Sequence, residues 1–519
     1  MEMLAKSEVK IVAALENYVQ SVKEEGQEAP HEVRRFLAEV QGKVRVSSQE
    51  HYAENPINAF HLVQRFHYMW GRMSSLIICS KCPETNASRD YYSTLEAIVN
   101  QSQVFTSKED VKGVALGLLR LWVTYKLDID KLIRGHILDT ETDSLAVSDI
   151  LYIAELLNET NQTYDTIVWL QALLNAFEAG KIEQADDIKE VNIVLRLAEA
   201  YSSYGMPWES INRLVEYQMK DPRDEGIDRN ISYYKSKLSS IPKEHRSKTL
   251  QPPALYANQR RYHAVCRGEG ERSQRILSSL KCFYRKTKIP IYRVKEEVLN
   301  YAPRLSLFYD VIFDSEAKFI KEASYSMLQR SGVIRTDDRN KVSDGRISET
   351  GWHSDSSHPF FESLGRRVEI ITGLSTRQYP FESHSENFQV VNYGIGGMYD
   401  PHTDLFGVSL PDLDRKGVNP PYLQGSGDRV ATFLFYLEDV KAGGATAFVN
   451  INVTVPVVKG AAAFWYNIRR NGDADENTKH AGCPVLLGSK WISNKWIRQH
   501  AQVFRRPCGK SPDAQDGPL

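Results

Sequence analysis

The first 138 residues carry apolar side chains at helical spacing. Val12, Leu15, Val19 and Val22 follow one another at intervals of three, four and three residues, which forms the apolar seam of a helix that faces another helix. The spacing predicts a coiled-coil-like arm within a helical dimerisation domain over residues 1–138. Because the seam is short, self-association and packing within one chain remain equally open.

Residues 139–240 show helices in pairs. The segments 152–157 and 197–201 each precede a second amphipathic segment, 166–177 and 208–217. Such pairs are typical of tetratricopeptide repeats, so we expect a tetratricopeptide-like peptide-binding domain. Its tyrosines are either helix core or the lining of a groove for a polyproline II peptide. The candidates are Tyr152, Tyr164, Tyr201 and Tyr204.

The pattern changes after residue 240. Residues 241–265 contain prolines and basic side chains and follow neither period, which predicts a linker. Residues 266–519 then hold short β-branched or aromatic runs bounded by turn residues, which predict a β-rich domain. The chain is therefore a multidomain α + β protein. The predicted strands are residues 390–393, 429–437, 461–468 and 483–492.

Composition narrows the function classes. The 519 residues include 65 basic and 66 acidic side chains, giving a formal net charge of −1. This balance lacks the overall basic excess typical of proteins that bind nucleic acid or anionic membranes. No apolar run approaches the roughly 20 residues that span a bilayer. We expect neither a nucleic-acid partner nor a membrane span.

Five of the Asn-x-Ser/Thr sequons in the chain are considered as glycan acceptors, and they favour the secretory pathway because more sequons occur than chance readily supplies. The first ten residues are charged and have no apolar signal core, so a signal peptide is expected to be absent or removed. The C-terminal residues carry no KDEL-type signal, so residence in the endoplasmic reticulum would need a partner. These five sequons begin at Asn86, Asn158, Asn161, Asn230 and Asn452.

The most informative residues for chemistry are two histidines and one aspartate. His402 and Asp404 are two positions apart, which on a strand places both side chains on one face; His480 follows later. Two His and one carboxylate form the facial triad of non-haem Fe(II) sites, and a three-ligand zinc site is the alternative. Lys490 argues against zinc, because its ammonium suits the distal carboxylate of a chelating 2-oxo acid.

These residues lie within a set of characteristic strings. The strings are residues 392–404, 428–436, 442–446, 463–467, 488–497 and 504–508. Over Phe388–Cys508 the chain resembles the catalytic domain of collagen prolyl 4-hydroxylase alpha subunits, and the similarity extends weakly over the whole sequence. These enzymes are Fe(II) and 2-oxoglutarate dioxygenases built on a double-stranded β-helix (jelly roll). The resemblance therefore implies that fold for residues 266–519.

The resemblance also implies roles for single residues. His402, Asp404 and His480 would bind Fe(II), and Lys490 would pair with the C5 carboxylate of 2-oxoglutarate. The remaining implied residues are Tyr393 and Thr432 at the cosubstrate, and Tyr399 and Arg429 facing the peptidyl proline. The implied reaction is hydroxylation of proline at C4 in X-Pro-Gly repeats of procollagen, giving succinate and CO2, with ascorbate rescuing oxidised iron.

The family's partners and disulfides are implied in the same way. Partners would be protein disulfide isomerase, a second alpha chain and procollagen peptide, in the lumen of the endoplasmic reticulum. The implied disulfides are Cys266–Cys282 and Cys483–Cys508, which leaves the state of Cys79 and Cys82 open.

One position departs from the family pattern in a way that affects the site. Arg498 stands where many members have a histidine near the proline, and His500 lies two residues further on. Substrate placement by this position is therefore uncertain on sequence grounds. Two other functions remain open: a catalytically silent procollagen-binding or chaperone subunit, and a metal-binding jelly roll such as a zinc hydrolase or lectin-like module.

Overall fold

A computed structural model gives the structure of the chain. It describes residues 1–47, 52–78, 85–102, 106–182, 188–222, 225–241, 249–253, 257–333, 341–342, 345–378, 384–406, 425–511 and 514. The chain divides into two compact units, residues 1–255 and residues 256–519. Cys79 and Cys82 lie outside the described residues.

The first unit is almost entirely helical, as the spacing of its apolar residues predicts. Its helices are α1 Glu2–Glu24, α2 His31–Ser47, α3 Pro56–Gln64, α4 Gly71–Ile77, α5 Asn86–Ser102, α6 Lys108–Tyr125, α7 Ile129–Leu132, α8 Val147–Glu159, α9 Thr163–Glu178, α10 Glu190–Ser203, α11 Pro207–Lys220 and α12 Glu225–Ser239. A π-helical turn, Arg65–Trp70, joins α3 to α4. A short hairpin, β1 His136–Ile137 with β2 Thr140–Glu141, precedes α8.

The apolar seam of α1 is used within the chain. Val12, Leu15 and Val22 are buried in one cluster with side chains of α2, α5 and the turn between α3 and α4. The structure therefore shows intramolecular packing, one of the two alternatives that the spacing leaves open. The prediction that this seam forms an arm for a second chain is wrong, because the residues that would form the contact already face helices of the same chain.

A buried ion pair fixes α1 against the π-helical turn. Glu8 is fully buried, and both of its carboxylate oxygens accept hydrogen bonds from Arg65 at 2.7 Å. The indole Nε1 of Trp70 donates to the same carboxylate at 3.1 Å. A buried charge is tolerated only when it is paired and hydrogen-bonded in this way.

The predicted helix pairs are present and continue for one helix more. Each of α8, α9 and α10 contacts the next helix in sequence, and α11 contacts the additional helix α12. Asn55 caps α3, and Ser107 forms a reciprocal capping box with Asp110 at the start of α6.

The rings of Trp122 and Trp169 meet edge to face at 5.7 Å between centroids. This contact joins α6 to α9, across the predicted boundary near residue 138.

The second unit contains four helices and eighteen strands among its described residues. The helices are α13 Ala257–Cys266, α14 Gln274–Ser279, α15 Asp314–Ser324 and α16 Pro359–Thr372. The strands are β3 Cys282–Lys286, β4 Arg293–Tyr301, β5 Arg304–Tyr309, β6 Gln329–Arg330, β7 Gly332–Val333, β8 Lys341–Val342, β9 Arg346–Ile347, β10 Glu349–His353, β11 Phe388–Tyr393, β12 Met398–His402, β13 Arg429–Tyr436, β14 Ala442–Gly443, β15 Thr446–Phe448, β16 Val453–Val455, β17 Ala462–Tyr466, β18 His480–Gly482, β19 Val485–Leu487 and β20 Lys490–Arg498.

Two sequence predictions need correction in this unit. The predicted linker ends too late, because residues 257–265 form most of α13 and bury Val265 in an apolar cluster. The single strand predicted over residues 483–492 is two strands, β19 and β20. Gly488 separates them with a φ of 94°, a left-handed conformation that glycine adopts without a side-chain penalty.

The strands form antiparallel sheets that pack around two apolar layers. A nine-stranded sheet has the order β3-β4-β5-β17-β13-β20-β11-β10-β6, and a five-stranded sheet has the order β16-β15-β18-β12-β9. One layer joins the long sheet to α15 and α16. The other joins it to the five-stranded sheet, where Phe448 meets Trp465 edge to face. Strand β13 is buried along its whole length because both of its faces are covered.

The disulfide pairing differs from the one that the family resemblance implies. Cys266 at the end of α13 is bonded to Cys483, with the two Cα atoms 5.5 Å apart. Both residues are buried in the same small apolar cluster, whereas Cys282 and Cys508 are exposed free cysteines. The implied pairs Cys266–Cys282 and Cys483–Cys508 are therefore wrong, because packing between α13 and the five-stranded sheet selects the partner rather than proximity in sequence.

The described helices include none with the length and apolar character needed to cross a membrane, in agreement with the sequence.

Candidate metal and cosubstrate site

Three side chains of the predicted triad meet in the second unit. His402 ends β12 and pairs directly with His480 of the neighbouring strand β18. The Nε2 atoms of His402 and His480 each lie 3.8 Å from a different carboxylate oxygen of Asp404. One ligand atom from each residue falls within 4.8 Å of the others. Antiparallel pairing of two strands thus brings together residues that are far apart in sequence.

The histidine rings are oriented for a metal ion. The Nδ1 atom of His402 lies 2.8 Å from the carbonyl oxygen of Asp400, and that of His480 lies 3.0 Å from the carbonyl oxygen of Thr478. A carbonyl only accepts, so each Nδ1 carries the proton and each Nε2 presents its lone pair towards Asp404. This arrangement of outer hydrogen bonds is typical of metal-ligating histidines.

The carboxylate of Asp404 is held by a short relay of hydrogen bonds. Thr432 donates its hydroxyl proton to Asp404 Oδ2 at 2.6 Å. Asn467 in turn donates from Nδ2 to the Thr432 hydroxyl at 2.9 Å. The predicted contact between Thr432 and the cosubstrate stays a prediction, because in the structure the hydroxyl proton is committed to the carboxylate.

The protonation states of His402 and Asp404 also suit a cation. Burial and the neighbouring His480 lower the pKa of His402 to about 3, so its ring is neutral at pH 7. Burial would raise the pKa of Asp404, but the two histidines, Arg429 and the Thr432 hydroxyl together lower it. Neutral imidazoles and an ionised carboxylate are the protonation states that bind a divalent metal. The donor set, two imidazole nitrogens and one carboxylate, fits Fe(II).

Removing the hydroxyl of Thr432 tests the relay. We expect Thr432→Val to weaken metal binding by about 10- to 100-fold, since outer-shell partners of metal ligands contribute on that scale. The measurement is titration of the metal-free protein with Co(II), followed by absorbance. A Thr432→Ser variant, which keeps the hydroxyl, should bind close to the wild-type protein; equal affinity for all three proteins would remove Thr432 from the site.

Lys490 is the second element of the site. Its side chain is 98% buried, since the residue is only 2% exposed. Nζ donates to the Thr446 hydroxyl at 3.3 Å and lies 5.6 and 5.8 Å from the ring centroids of Tyr393 and Tyr436. Gly444 lies next to the lysine chain, and its φ of 70° is a left-handed conformation that favours glycine.

No carboxylate of the described residues lies within salt-bridge distance of Lys490. Burial lowers the pKa of this lysine to about 7, and the same effect raises the pKa of Tyr393 to about 12. A buried ammonium without an anion is costly unless a ligand supplies the negative charge. The site therefore fits the free carboxylate of 2-oxoglutarate, which is the role that the sequence predicts.

The pKa of Lys490 gives cosubstrate binding a pH dependence. Below pH 7 the side chain is charged, and a bound carboxylate stabilises that form. Above pH 7 it is neutral in the free protein, so we expect 2-oxoglutarate affinity to fall by up to about tenfold per pH unit as binding takes up a proton. Titration calorimetry across this range measures the effect. The guanidinium of a Lys490→Arg variant does not titrate in this range, so the affinity of that variant for 2-oxoglutarate should not change with pH. A wild-type affinity that is constant over the same range would contradict the role of Lys490.

Tyr399 lies beside the metal ligand His402, and its predicted role facing the peptidyl proline stays a prediction. Its ring stacks on that of His402, with centroids 3.5 Å apart and an interplanar angle of 21°. The guanidinium carbon of Arg346 also lies close to this ring, 4.8 Å from the Tyr399 ring centroid. Arg346 is 8% exposed, and among the described residues it has no carboxylate partner. The sequence analysis misses Arg346, because it precedes the characteristic strings and reaches the site only through pairing of β9 with β12.

Arg429 is held beside the metal ligands by the half-buried carboxylate of Glu386. Its Nε and Nη2 atoms donate to the two oxygens of Glu386 at 2.6 and 2.7 Å, and Nη1 donates to the Asp404 carbonyl at 3.2 Å. The guanidinium carbon lies 3.6 Å from the ring centroid of Trp496. Arg498, the residue that departs from the family pattern, donates to the same Glu386 at 3.0 Å. Glu386 therefore balances two arginines, another contact that the sequence analysis does not predict.

Loss of this carboxylate should weaken the second unit. Burial would raise the pKa of Glu386, but Arg429 and Arg498 lower it, so the group is ionised at pH 7. We expect Glu386→Gln to reduce the free energy of unfolding by about 3 kcal/mol, because two buried guanidinium groups lose their counter-charge. Denaturant unfolding measures this change in the free energy of unfolding. As a control, Glu362→Gln removes the exposed ion pair with Arg366 and should lower the free energy of unfolding by less than about 1 kcal/mol. An equal loss of stability in the two variants would contradict the proposed role of Glu386.

A shallow cavity adjoins the ion pair between Arg429 and Glu386. It has a volume of about 370 Å³ and is lined by Trp352, Gln378, Ser385, Glu386 and Asn387. Trp352 is 41% exposed, and its ring lies 6.1 Å from that of Trp496. The cavity thus reaches Glu386, the carboxylate that binds Arg429.

The tyrosines predicted to bind peptide lie on the helix pairs of the first unit. Tyr164 and Tyr204 are half-buried, with ring centroids 6.2 Å apart, and Tyr204 donates to the Gln251 carbonyl at 2.7 Å. Tyr152 is also half-buried, whereas Tyr201 is buried in the helix core. Burial removes most of the Tyr201 ring from any peptide, so the core alternative holds for that residue.

The predicted glycan acceptors differ in exposure. Asn86, Asn158 and Asn161 are exposed. Asn230 and Asn452 are half-buried, and each donates its side-chain amide to a backbone carbonyl. Whether any of the five carries a glycan stays a prediction.

Comparison with known proteins places the site in a class of enzymes. Residues 388–498 match the 2OG-Fe(II) oxygenase superfamily, and residues 1–139 match the N-terminal region of the prolyl 4-hydroxylase alpha subunit. Together with the His-Asp-His cluster, the first match makes the second unit an Fe(II)- and 2-oxoglutarate-dependent oxygenase.

Full-length relatives identify the family. The chain is 33% identical over 480 residues to the human prolyl 4-hydroxylase subunit alpha-3, covering 88% of this chain and 84% of the relative. It is 29% identical over 531 residues to bovine prolyl 4-hydroxylase subunit alpha-1, covering 98% and 94%. The chain belongs to the prolyl 4-hydroxylase alpha subunits.

Among solved structures, the viral collagen prolyl hydroxylase of Paramecium bursaria Chlorella virus-1 is 21% identical. That match covers 37% of this chain and 95% of the viral chain, with a TM-score of 0.28.

Proposed function

We propose that this chain is the catalytic alpha subunit of a procollagen prolyl 4-hydroxylase. It would hydroxylate proline at C4 in X-Pro-Gly repeats with O2 and 2-oxoglutarate, giving succinate and CO2. The observation that carries the proposal is the cluster of His402, Asp404 and His480, in which each histidine Nε2 lies 3.8 Å from the carboxylate of Asp404. The same unit contains the buried Lys490, which has no carboxylate partner among the described residues. The names of the relatives, prolyl 4-hydroxylase alpha subunits, support hydroxylation of proline at C4.

Each residue of the site has a defined part in this proposal. Fe(II) and 2-oxoglutarate, when bound, supply the oxidising chemistry that an unactivated C–H bond needs. His402, Asp404 and His480 hold the metal, and Lys490 orients the cosubstrate through its C5 carboxylate. Tyr399 covers His402 on one side and so limits access of water to the metal face.

The peptide would lie against Arg429 and its partner Glu386. Arg429 is rigid because Glu386 and Trp496 fix its plane, and a fixed cation suits the carbonyl oxygens of a proline-rich chain. Arg498 contributes through Glu386, so a histidine at its position is not needed to keep Arg429 in place. The half-buried Tyr152, Tyr164 and Tyr204 would bind a more distant part of the same substrate, which raises its effective concentration at the metal.

The finer fold assignments belong to the same proposal. The two packed antiparallel sheets around the metal ligands support a jelly roll for the second unit. Successive helix pairs from α8 to α11 support a tetratricopeptide-like domain. The domain limits proposed from the sequence are residues 1–138, 139–240 and 266–519.

Partners and location follow from the family. We propose assembly with protein disulfide isomerase and a second alpha chain in the lumen of the endoplasmic reticulum, with ascorbate as the reductant that restores iron. Because the Val12–Val22 seam is buried within the chain, the second alpha chain would bind exposed side chains of the first unit instead. The five sequons agree with a lumenal glycoprotein.

The experiment that tests the reaction is a turnover assay with the full chain, co-expressed with the isomerase. Succinate should form from 2-oxoglutarate only when Fe(II) and a (Pro-Pro-Gly)n peptide are both present. Zn(II) in place of Fe(II) should give no product, because zinc has no redox chemistry. Succinate formation that ignores the peptide would contradict the proposed substrate.

A further inference from the structure

One stretch of the second unit is strongly basic although the chain as a whole is nearly neutral. Residues Arg272–Lys295 contain eight Lys or Arg and no Asp or Glu, whereas the whole sequence has a net charge of −1. We call this stretch the basic edge. Such a local excess of one sign creates a potential that attracts the opposite charge.

The basic edge includes an unpaired side of the long sheet. Strand β3 stands at the end of the nine-stranded order and pairs only with β4 among the described strands. A terminal strand presents a row of backbone N–H and C=O groups to which another extended chain can add. The outer side of β3 is therefore a place where a further strand fits.

Apolar side chains are also concentrated here. In the described residues, large exposed apolar side chains are otherwise scattered, yet six fall between residues 276 and 291. Ile291 is 93% exposed and Tyr284 is 62% exposed. The set is Ile276, Leu277, Phe283, Tyr284, Ile289 and Ile291.

The charges of the basic edge are available to a partner. Lys281, Lys286 and Lys288 are exposed, and none has a carboxylate within salt-bridge distance among the described residues. Arg285 is different, because its side chain turns inward to Glu296 at 3.2 Å. The strand is thus anchored on its inner face and left charged on its outer face.

We propose that the basic edge docks an extended, acidic segment of a partner protein, which adds to β3 as a further strand. Backbone hydrogen bonds would supply affinity, and the three lysines would select acidic side chains. Lysines on an edge strand can instead serve only to prevent sheet-to-sheet aggregation. That role does not explain why Tyr284 and Ile291 are left exposed beside them, whereas a docking surface needs both charge and apolar contact.

A protein segment fits these observations better than a membrane does. The exposed groups follow a strand with an open backbone side, whereas a peripheral membrane site usually uses the apolar face of an amphipathic helix. Strand β3 has five residues, so the partner segment needs a similar length. Side chains of that segment would alternate, with acidic residues on the face of β3 that carries Lys286 and apolar residues on the opposite face, beside Phe283.

The test uses the full chain and a fluorescent peptide of alternating Glu and Val. Anisotropy should show saturable binding that weakens by about tenfold or more between low and high salt, because exposed ion pairs are screened. The same peptide with Lys in place of Glu, or with N-methyl groups on alternate backbone nitrogens, should not bind. The second peptide tests strand addition, since it keeps the charge and loses the hydrogen bonds.

Two double variants decide where the peptide binds. Lys286→Glu with Lys288→Glu should lose about tenfold or more in affinity. Lys318→Glu with Lys441→Glu, an equal charge change at exposed sites elsewhere in the unit, should stay within about twofold of wild type. Hydroxylation of a (Pro-Pro-Gly)n peptide should be unchanged in both, because none of these lysines lies at the metal site.

The proposal is overturned if the full chain shows no saturable binding of the acidic peptide, or if both double variants lose affinity equally. It is also overturned if the N-methylated peptide binds as well as the parent. Binding to phosphatidylserine vesicles without binding to the peptide would assign the basic edge to a membrane instead. None of these outcomes depends on the proposed hydroxylase reaction.

Discussion

Replacing any one of His402, Asp404 and His480 with Ala will abolish peptide-dependent succinate formation while the protein remains folded. Each residue supplies one of the three ligand atoms, which lie within 4.8 Å of one another. Loss of a ligand should therefore cost more than the ~10- to 100-fold that loss of an outer hydrogen-bond partner costs. Turnover measures the catalytic effect, and Co(II) titration measures metal affinity separately from activity.

Asp314 offers a matched control for the aspartate. It is exposed at the start of α15, and its one ion pair among the described residues is with Lys459, at 3.2 Å. Asp314→Ala should keep wild-type turnover and metal affinity, because an exposed ion pair contributes at most about 1 kcal/mol. Wild-type turnover in any of the three ligand variants would remove that residue from the metal site.

The second large effect is expected at Lys490. Lys490→Met keeps the bulk of the side chain and removes the charge, so the KM for 2-oxoglutarate should rise while the KM for peptide stays the same. Removing one partner of a buried charged pair costs about 2–5 kcal/mol, which corresponds to a roughly 30- to 5000-fold rise. Steady-state kinetics with each substrate varied in turn gives both constants.

The melting temperature of Lys490→Met shows whether the rise in the KM for 2-oxoglutarate is caused by misfolding. The ammonium of Lys490 is buried without a carboxylate among the described residues, and burial lowers its pKa to about 7. Removing the charge should therefore leave the melting temperature of the ligand-free protein unchanged or raise it. Lys441→Met, at an exposed position, should alter neither constant. An unchanged 2-oxoglutarate KM for Lys490→Met would show that another cation binds the cosubstrate.

Much of the metal site can be predicted from sequence because its chemistry needs particular residue types at particular spacings. A His-x-Asp pair on a strand places two ligands on one face, and the later His480 falls opposite His402 once β12 and β18 pair. Lys490 stands out because a cation within an apolar strand needs an anion. The alternation of apolar residues likewise predicts β11, β13 and β17 close to their observed limits.

Contacts set by tertiary packing could not be predicted in the same way. Glu386 and Arg346 carry no local pattern, and they reach the site only because β9, β11 and β20 come together. The seam of α1 is compatible with two partners, and only the position of α5 in the fold shows which one it uses. The Cys266–Cys483 bond joins residues 217 positions apart, so proximity in sequence favours the wrong cysteine.

The most direct test of the proposed function is to identify the product on the peptide. A (Pro-Pro-Gly)n substrate is incubated with the full chain, Fe(II), 2-oxoglutarate and O2, and hydroxyproline and succinate are both quantified. We predict 4-hydroxyproline at the proline that precedes glycine, formed in equal amount to succinate and absent from the His480→Ala variant. Succinate without hydroxyproline, or hydroxylation at another carbon, would contradict the assignment of this chain as a prolyl 4-hydroxylase.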